Sequence, residues 1–198
     1  SYSDEKLLHA LLNTTQTMEF AYACWKLPQS DVIHLLVDFS ETNKRQKVAL
    51  ENGEKGFVIQ SFIQNEANLP TFLNADVLFS TKEKSFIFNS HCSNPLEKER
   101  FLKQFLLNLE TDHELTSFLP NSELNEYNTS NPEAYIELVK QAKNEIEKQR
   151  FKKVVLARSK EVSLKEEYSL STLFQNVANA YKNTFVSLVF TKELGLWI

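Results

Sequence analysis

The sequence contains little glycine, with only Gly53, Gly56 and Gly195 among its 198 residues. The GxGxxG and P-loop phosphate cradles need several glycines at fixed spacing, so nucleotide-binding enzymes of those two types are excluded.

Cysteine is equally scarce. Cys24 and Cys92 cannot form a disulfide framework, so we expect a reducing compartment, the cytoplasm, and two buried thiols.

An excess of basic residues is also missing, because the net charge is -4 and no basic stripe is present. Nucleic acid is therefore not an expected partner. No apolar run approaches the ~20 residues of a membrane span, and the acidic start SYSDEKLLHALL does not resemble a signal peptide. We accordingly expect no membrane partner.

Metal-ligand and nucleophile motifs are missing as well. The four histidines form no HxxxH or HxE pattern, and His91 and Cys92, adjacent on a predicted strand, would point to opposite faces. No GxSxG elbow occurs, and no serine, histidine and aspartate can be grouped by sequence. We therefore expect no metal site formed wholly within this chain.

What is present is the composition of an ordinary globular protein, with 42% apolar and 24% charged residues. The fifteen phenylalanines suit a broad sheet packed against helices. Periodicity and turn residues predict helices over residues 3–13, from Pro95 onward, over 132–149 and over 169–181. They predict strands over residues 19–27, 32–39, 56–63, 76–79, 85–89, 152–164 and 184–190, followed by a last short strand, GLWI.

The pattern breaks into polar residues between 110 and 131, which indicates a connecting loop. We therefore divide the chain into a variable, β-rich front part over residues 1–118, a connecting loop over 119–130 and a last part over 131–198. Asn131 is a plausible N-cap for the helix that follows the loop. Its predicted buried stripe consists of Tyr135, Leu138, Val139, Ala142 and Ile146.

One lysine in the stretch FKKVVLARSK is a candidate functional residue. If this stretch alternates as a strand, Lys153 shares a face with Phe151, Val155 and Ala157, whereas Lys152 lies on the other face. Lys153 could be an edge-strand lysine whose stem covers apolar surface. The alternative is a general base, since desolvation by apolar neighbours favours the neutral amine. The pattern leaves both interpretations open.

The stretches AYIELVKQAKNEIEKQRFKKVVLARSKEV and LFQNVANAYKNTFVSLVFTKELGLWI resemble the chorismate-utilising enzymes, and within them the isochorismate synthases. The resemblance is close from about Tyr135 to Ile198, and residues before Ser130 match only in general character. It implies an α+β fold with a large, mainly antiparallel sheet flanked by helices. It also implies chorismate as the small-molecule substrate.

The resemblance further implies that Lys153 is the base that activates the attacking water. The ammonia-using relatives carry glutamine at this position, in a string like QVVLSQ, so lysine favours water as the nucleophile. Two positions depart from the family pattern. Gln149 stands where a glycine is common, and Lys182 follows Tyr181 where a proline is common.

In the family, the strand equivalent to GLWI continues into a Gly-Ala-Ser-Pro-Glu motif that supplies the general acid, and the Mg²⁺ ligands come later still. We therefore expect the chain to be the front part of an isochorismate synthase, truncated before its C-terminal half and inactive alone. The parent would use Mg²⁺ and feed menaquinone synthesis, or alternatively siderophore synthesis. The alternatives are a salicylate synthase and a non-catalytic binding or folding module.

Overall fold

A computed structural model describes residues 2–45, 55–62, 69–90, 94–111, 131–160 and 169–198. The chain forms two compact units, one of residues 1–120 with 167–198 and one of residues 121–166. The first unit contains the helices α1 (Asp4–Thr17), α2 (Pro95–Glu110) and α4 (Leu170–Ala180). Its strands are β1 (Ala21–Lys26), β2 (Ile33–Asp38), β3 (Lys44–Arg45), β4 (Gly56–Ile59), β5 (Thr71–Asn74), β6 (Val77–Ser80), β7 (Ser85–Phe88), β8 (Val186–Thr191) and β9 (Gly195–Trp197).

The strands form two antiparallel sheets. The larger has six strands in the order β7-β6-β2-β1-β8-β9, and the smaller has three in the order β3-β5-β4. β1 is central, because it pairs with β2 through Tyr22↔Val37 and with β8 through Tyr22↔Phe190. The α+β fold with a large antiparallel sheet is thus confirmed.

Alternation along the strands produces three layers in this unit. Tyr22 and Cys24 of β1 pack with buried residues of the helices, such as Leu8 of α1 and Phe174 of α4. Ala23, on the opposite face of β1, packs with Leu73 of the smaller sheet and with other small apolar residues. The six-stranded sheet therefore has helices on one face and the three-stranded sheet on the other, as a period of two requires.

The helices begin at residues that cap them. Ser3 precedes α1 and its hydroxyl accepts a hydrogen bond from the Lys6 N–H at 3.2 Å. Asn94 and Ser169 cap α2 and α4 in the same way. Each cap satisfies a backbone donor that has no partner inside the helix, which is why these polar residues end the preceding loops.

One buried carboxylate joins the two sheets. Asp38 ends β2 and is fully buried. Its oxygens accept hydrogen bonds from the Ser40 N–H at 2.9 Å, from the Asn43 side-chain amide at 3.2 Å and from the Asn74 N–H at 2.9 Å. Because Asn74 ends β5, these bonds hold the end of the smaller sheet against the end of β2.

A glycine is needed where β4 meets β5. A Cβ on Gly56 would lie 2.2 Å from the Phe72 ring and 2.5 Å from the Leu73 carbonyl oxygen, which is closer than real Cβ atoms approach. Gly56 therefore permits the two strands to pair while Phe72 folds over the backbone.

The second unit contains one helix in its described part, α3 (Pro132–Glu147), with Asn131 as its N-cap. The helix and its cap are as predicted, but the prediction of a buried stripe is wrong. Tyr135, Val139, Ala142 and Ile146 are only half-buried, and Leu138 is 43% exposed. A stripe becomes buried only when a second layer covers it, and the described part of this unit contains no further helix or strand.

The prediction of a strand over residues 152–164 is also wrong for its described part. Residues 151–160 adopt no regular structure. Residues 161–164 lie outside the described ranges. The apolar face predicted around Lys153 is absent, since Phe151, Lys153 and Val155 are all exposed. Strand propensity expresses how well a residue fits a paired, half-buried surface, and this segment has no paired strand among the described residues.

The other helices and strands lie within a few residues of their predicted positions. The exceptions are β3 and β5, which were not predicted. The division at residues 118 and 130 remains a prediction. In the described part of the chain, no helix is both long and apolar enough to cross a membrane.

We predict that Asp38→Ala lowers the free energy of unfolding by about 3 kcal/mol or more, since it leaves several donors near the carboxylate without their acceptor. Chemical denaturation of the 198-residue chain measures this. Asp31→Ala is the matched control, because Asp31 is an exposed aspartate in the loop before β2. Equal effects of the two substitutions would contradict a role for Asp38 in joining the sheets.

Candidate functional site

Lys153 lies in an irregular, exposed segment that follows α3 directly. Residues 151–160 are exposed apart from the half-buried Leu156. Val155 is 79% exposed and Val154 is 41% exposed. The described residues therefore do not desolvate Lys153, and its assignment as the base remains a prediction that rests on the resemblance.

The turn before this segment is ordered by the end of α3. Gln149 adopts a positive φ of 58°. Its N–H donates to the Ile146 carbonyl at 2.9 Å, and the Arg150 N–H donates to the Glu145 carbonyl at 3.1 Å. These two bonds form a Schellman motif, whose left-handed position is usually glycine. Gln149 thus occupies a conformation that glycine adopts most readily, and its Cβ makes that conformation less favourable.

A carboxylate reinforces the same turn. Glu145 pairs with Arg150 at 2.7 Å and with Lys148 at 3.0 Å. Arg158, near the other end of the segment, places its guanidinium carbon 5.5 Å from the centre of the Tyr135 ring, which is the geometry of a cation–π contact. The segment that carries Lys153 is therefore held to α3 near both of its ends.

The first unit contains an open groove of about 330 Å³ between β4 and the β8–β9 edge of the larger sheet. Its polar side chains are Gln60, Ser187 and Thr191. None of the described residues that line it carries a group that titrates near neutral pH. Its larger apolar side chains are Phe57, Val58, Ile59, Phe185, Val189, Leu194 and Trp197.

Aromatic contacts join the two sheets beside this groove. The Trp25 ring stacks on the His34 ring with centres 5.3 Å apart, and it packs against Phe57 of the smaller sheet at 5.6 Å. Burial lowers the pKa of His34 below its ordinary value, because desolvation disfavours the imidazolium.

A polar cluster that sequence reasoning did not group joins α1 to α4. The ring nitrogens of His9 lie 3.1 Å from the Ser171 hydroxyl and 3.0 Å from the Asn13 side-chain amide. Ser169 lies 2.7 Å from Ser171. Its only sequence signal is the spacing of His9 and Asn13 by four residues, which puts both side chains on one face of α1.

A buried lysine was also missed by sequence reasoning. Lys26 is 5% exposed, and its ammonium donates to the Lys182 carbonyl at 3.3 Å. The same carbonyl accepts the Gln29 N–H at 2.8 Å. The residue that departs from the family pattern after Tyr181 thus fixes the β1–β2 turn through its backbone.

The predictions for cysteine and metal can be compared with the described residues. Cys24 is a free, buried thiol whose pKa is raised by desolvation, as predicted for a small apolar residue. His91 and Cys92 lie outside the described ranges. The described residues include no group of three or more histidine, cysteine, aspartate or glutamate side chains that could hold a metal ion. Mg²⁺ remains a prediction from the resemblance.

A comparison with protein families decides the broader identity. The model described as chorismate binding enzyme matches residues 12–195. The chain belongs to this family. The match begins in α1 and ends in β9, so it includes the front part, which resembles the family only in general character. No curated protein and no solved structure matches this chorismate-binding chain significantly.

We predict that acid destabilises the first unit partly through His34. Its pKa is lowered in the folded state, so the unfolded chain takes up the proton first, near pH 6.5. The contribution of neutral His34 to the free energy of unfolding is therefore complete above pH 6.5 and is lost as the pH falls below that value. The melting temperatures at pH 7.5 and pH 5 should differ less in His34→Phe than in the unsubstituted protein. Phenylalanine keeps a stacked ring at this position but has no group that titrates. Identical pH dependence in both proteins would contradict this.

We predict that Gln149→Gly stabilises the end of α3 by about 0.5–1 kcal/mol, because glycine adopts positive φ without a Cβ penalty, offset in part by its greater freedom when unfolded. Hydrogen exchange of the Arg150 amide should slow accordingly. Gln149→Ala is the control, since alanine keeps the Cβ and should leave exchange unchanged. Faster exchange in the glycine variant would contradict the assigned strain.

Proposed function

We propose that the protein isomerises chorismate to isochorismate. Water adds at C2 of the ring, the double bonds shift, and the C4–O bond breaks as the C4 hydroxyl leaves. The atoms balance, since one water enters and one leaves. The observation that carries the proposal is a lysine, Lys153, at the start of the KVVLAR string in a chain that belongs to the chorismate-binding enzymes.

Lys153 is the proposed general base. Its amine takes one proton from the attacking water, which forms the new C2–O bond. The leaving hydroxyl needs a proton from an acid, and we assign that acid to no described residue. A neutral amine is required for the first step. Because Lys153 is exposed among the described residues, its desolvation must come from the bound substrate or from residues outside the described ranges.

The cofactor is part of the proposal. Mg²⁺ bound near the substrate would stabilise negative charge on the ring carboxylate. No described residue is assigned to the ion. The role proposed for Lys153 does not depend on where the ion binds. Lysine favours water over ammonia as the nucleophile, so we propose neither anthranilate nor aminodeoxychorismate as the product.

The direct test is an assay of the gene product that carries this sequence, with chorismate and Mg²⁺ and with products separated by chromatography. Isochorismate without pyruvate is the expected result. Release of pyruvate would replace the proposal with a salicylate synthase. If chorismate is recovered unchanged, the proposed activity is wrong.

Within that assay, Lys153→Ala should lower kcat by about 10²–10⁴-fold, the usual contribution of a general base. Lys153→Arg should be equally impaired, because a guanidinium does not lose its proton in proteins. Lys152→Ala is the matched control, since Lys152 is the exposed neighbour with the same side chain. Equal losses at Lys152 and Lys153 would refute the assignment of the base.

A further inference from the structure

The groove of the first unit lies between two sheet faces. Ser187, Val189 and Thr191 of β8 alternate with residues that pack against the helices, so these three side chains are directed toward the smaller sheet. Phe57 and Ile59 of β4 line the opposite side. The groove is therefore bounded by both sheets, and its residues come from strands that are far apart in the sequence.

Aromatic side chains at the groove are accessible from solvent. Phe185 is 46% exposed and Trp197 is 54% exposed. The indole N–H of Trp197 donates to the Leu194 carbonyl at 2.6 Å, which fixes the orientation of the ring within the β8–β9 hairpin. An indole that is already held in place offers a planar apolar surface, and binding to it does not require the side chain to be ordered first.

Hydroxyl and amide groups complete the lining. Thr191 is 1% exposed, its Oγ1 accepts the Leu194 N–H at 2.9 Å, and its own O–H can still donate. Within the described ranges, the Ser187 hydroxyl and the Gln60 side-chain amide have no hydrogen-bond partner. Both groups can therefore exchange water for the polar group of a ligand.

We propose that this groove binds a small, uncharged aromatic molecule that carries a hydroxyl group. The ring of the ligand packs against the aromatic side chains, and its hydroxyl forms a hydrogen bond with Ser187. The volume of about 330 Å³ lies at the lower end of the range of about 300–1,000 Å³ that is typical of small-molecule pockets, so it suits a molecule of about two rings.

The proposed ligand differs from the substrate of the proposed reaction. Chorismate carries carboxylates, which lose strongly bound water when they enter a site and need charged or multiple hydrogen-bonding partners in exchange. The aromatic, aliphatic, hydroxyl and amide side chains of the groove are better matched to a neutral hydroxyl. The inference therefore does not depend on the chorismate activity.

The charge preference can be tested by equilibrium dialysis of the gene product that carries this sequence. The probes are 2-naphthol, which is uncharged at pH 7, and 2-naphthoate, which has the same rings and a negative charge. We expect saturable binding of 2-naphthol and binding of 2-naphthoate that is weaker by about tenfold or more. Failure of 2-naphthol to bind, or equal affinity for both probes, would overturn the proposal.

Substitutions test whether the probe occupies the groove. Ser187→Ala removes one hydrogen bond and Trp197→Ala removes an aromatic contact, so each should weaken 2-naphthol binding about two- to tenfold. Ser85→Ala is the matched control, because Ser85 is an exposed serine of β7 at the opposite edge of the larger sheet. If both groove variants bind as tightly as the control, the site lies elsewhere and the proposal fails.

A gain of binding gives a test that a folding defect cannot imitate. Gln60 is exposed at the groove, so Gln60→Lys adds an ammonium there without burying it. This variant should bind 2-naphthoate about two- to fivefold more tightly, the change that corresponds to an exposed ion pair, with 2-naphthol binding unchanged. Unchanged affinity for 2-naphthoate would contradict the placement of the probe beside Gln60.

Competition separates this site from the proposed reaction. An excess of chorismate with Mg²⁺ should leave 2-naphthol binding unchanged, and displacement of the probe would overturn a separate site. If the protein does not convert chorismate, the proposed function fails, while the groove is still judged by the dialysis of the two probes.

Discussion

The two-sheet arrangement of the first unit depends on the burial of one charge. Asp38 ends β2 with no solvent exposure, and its carboxylate is surrounded by backbone and amide donors. A buried carboxylate is tolerated only when such donors replace its water. Because one donor belongs to Asn74 at the end of β5, the smaller sheet must approach β2 at this point. A second aspartate, Asp76, lies between β5 and β6. It accepts a hydrogen bond from the Phe39 N–H at 2.8 Å and so connects that turn to the end of β2.

This constraint determines where the groove opens. The smaller sheet is fixed beside β2 at Asp38, and the Trp25 ring connects β1 to Phe57 of β4. The groove lies beyond this contact, between β4 and the β8–β9 edge. Its walls combine apolar side chains of both sheets with the polar side chains of Gln60, Ser187 and Thr191.

Both units contain left-handed turns at helix ends that are formed without glycine. Helices α1 and α3 end in such turns. Glu19 and Gln149 adopt positive φ after them, at 53° and 58°. Backbone hydrogen bonds at the helix ends are sufficient to hold a residue with a side chain in this conformation. Gly56, in contrast, is required by the space available between β4 and the Phe72 ring.

The sequence by itself determined most of the helices and strands and the N-cap Asn131, because these follow from local periodicity and from residue types. The α+β class and the family came from the resemblance of the stretches around KVVLAR to the chorismate-utilising enzymes. Only the tertiary structure decided that β3 and β5 pair with β4, that Asp38 joins the sheets, and that His9 meets Ser171 across a separation of 162 residues. It also decided that FKKVVLARSK lies exposed along α3, attached by Arg150 and Arg158. A strand forms only beside another strand, and the alternation of side chains contains no information about whether that neighbour is present.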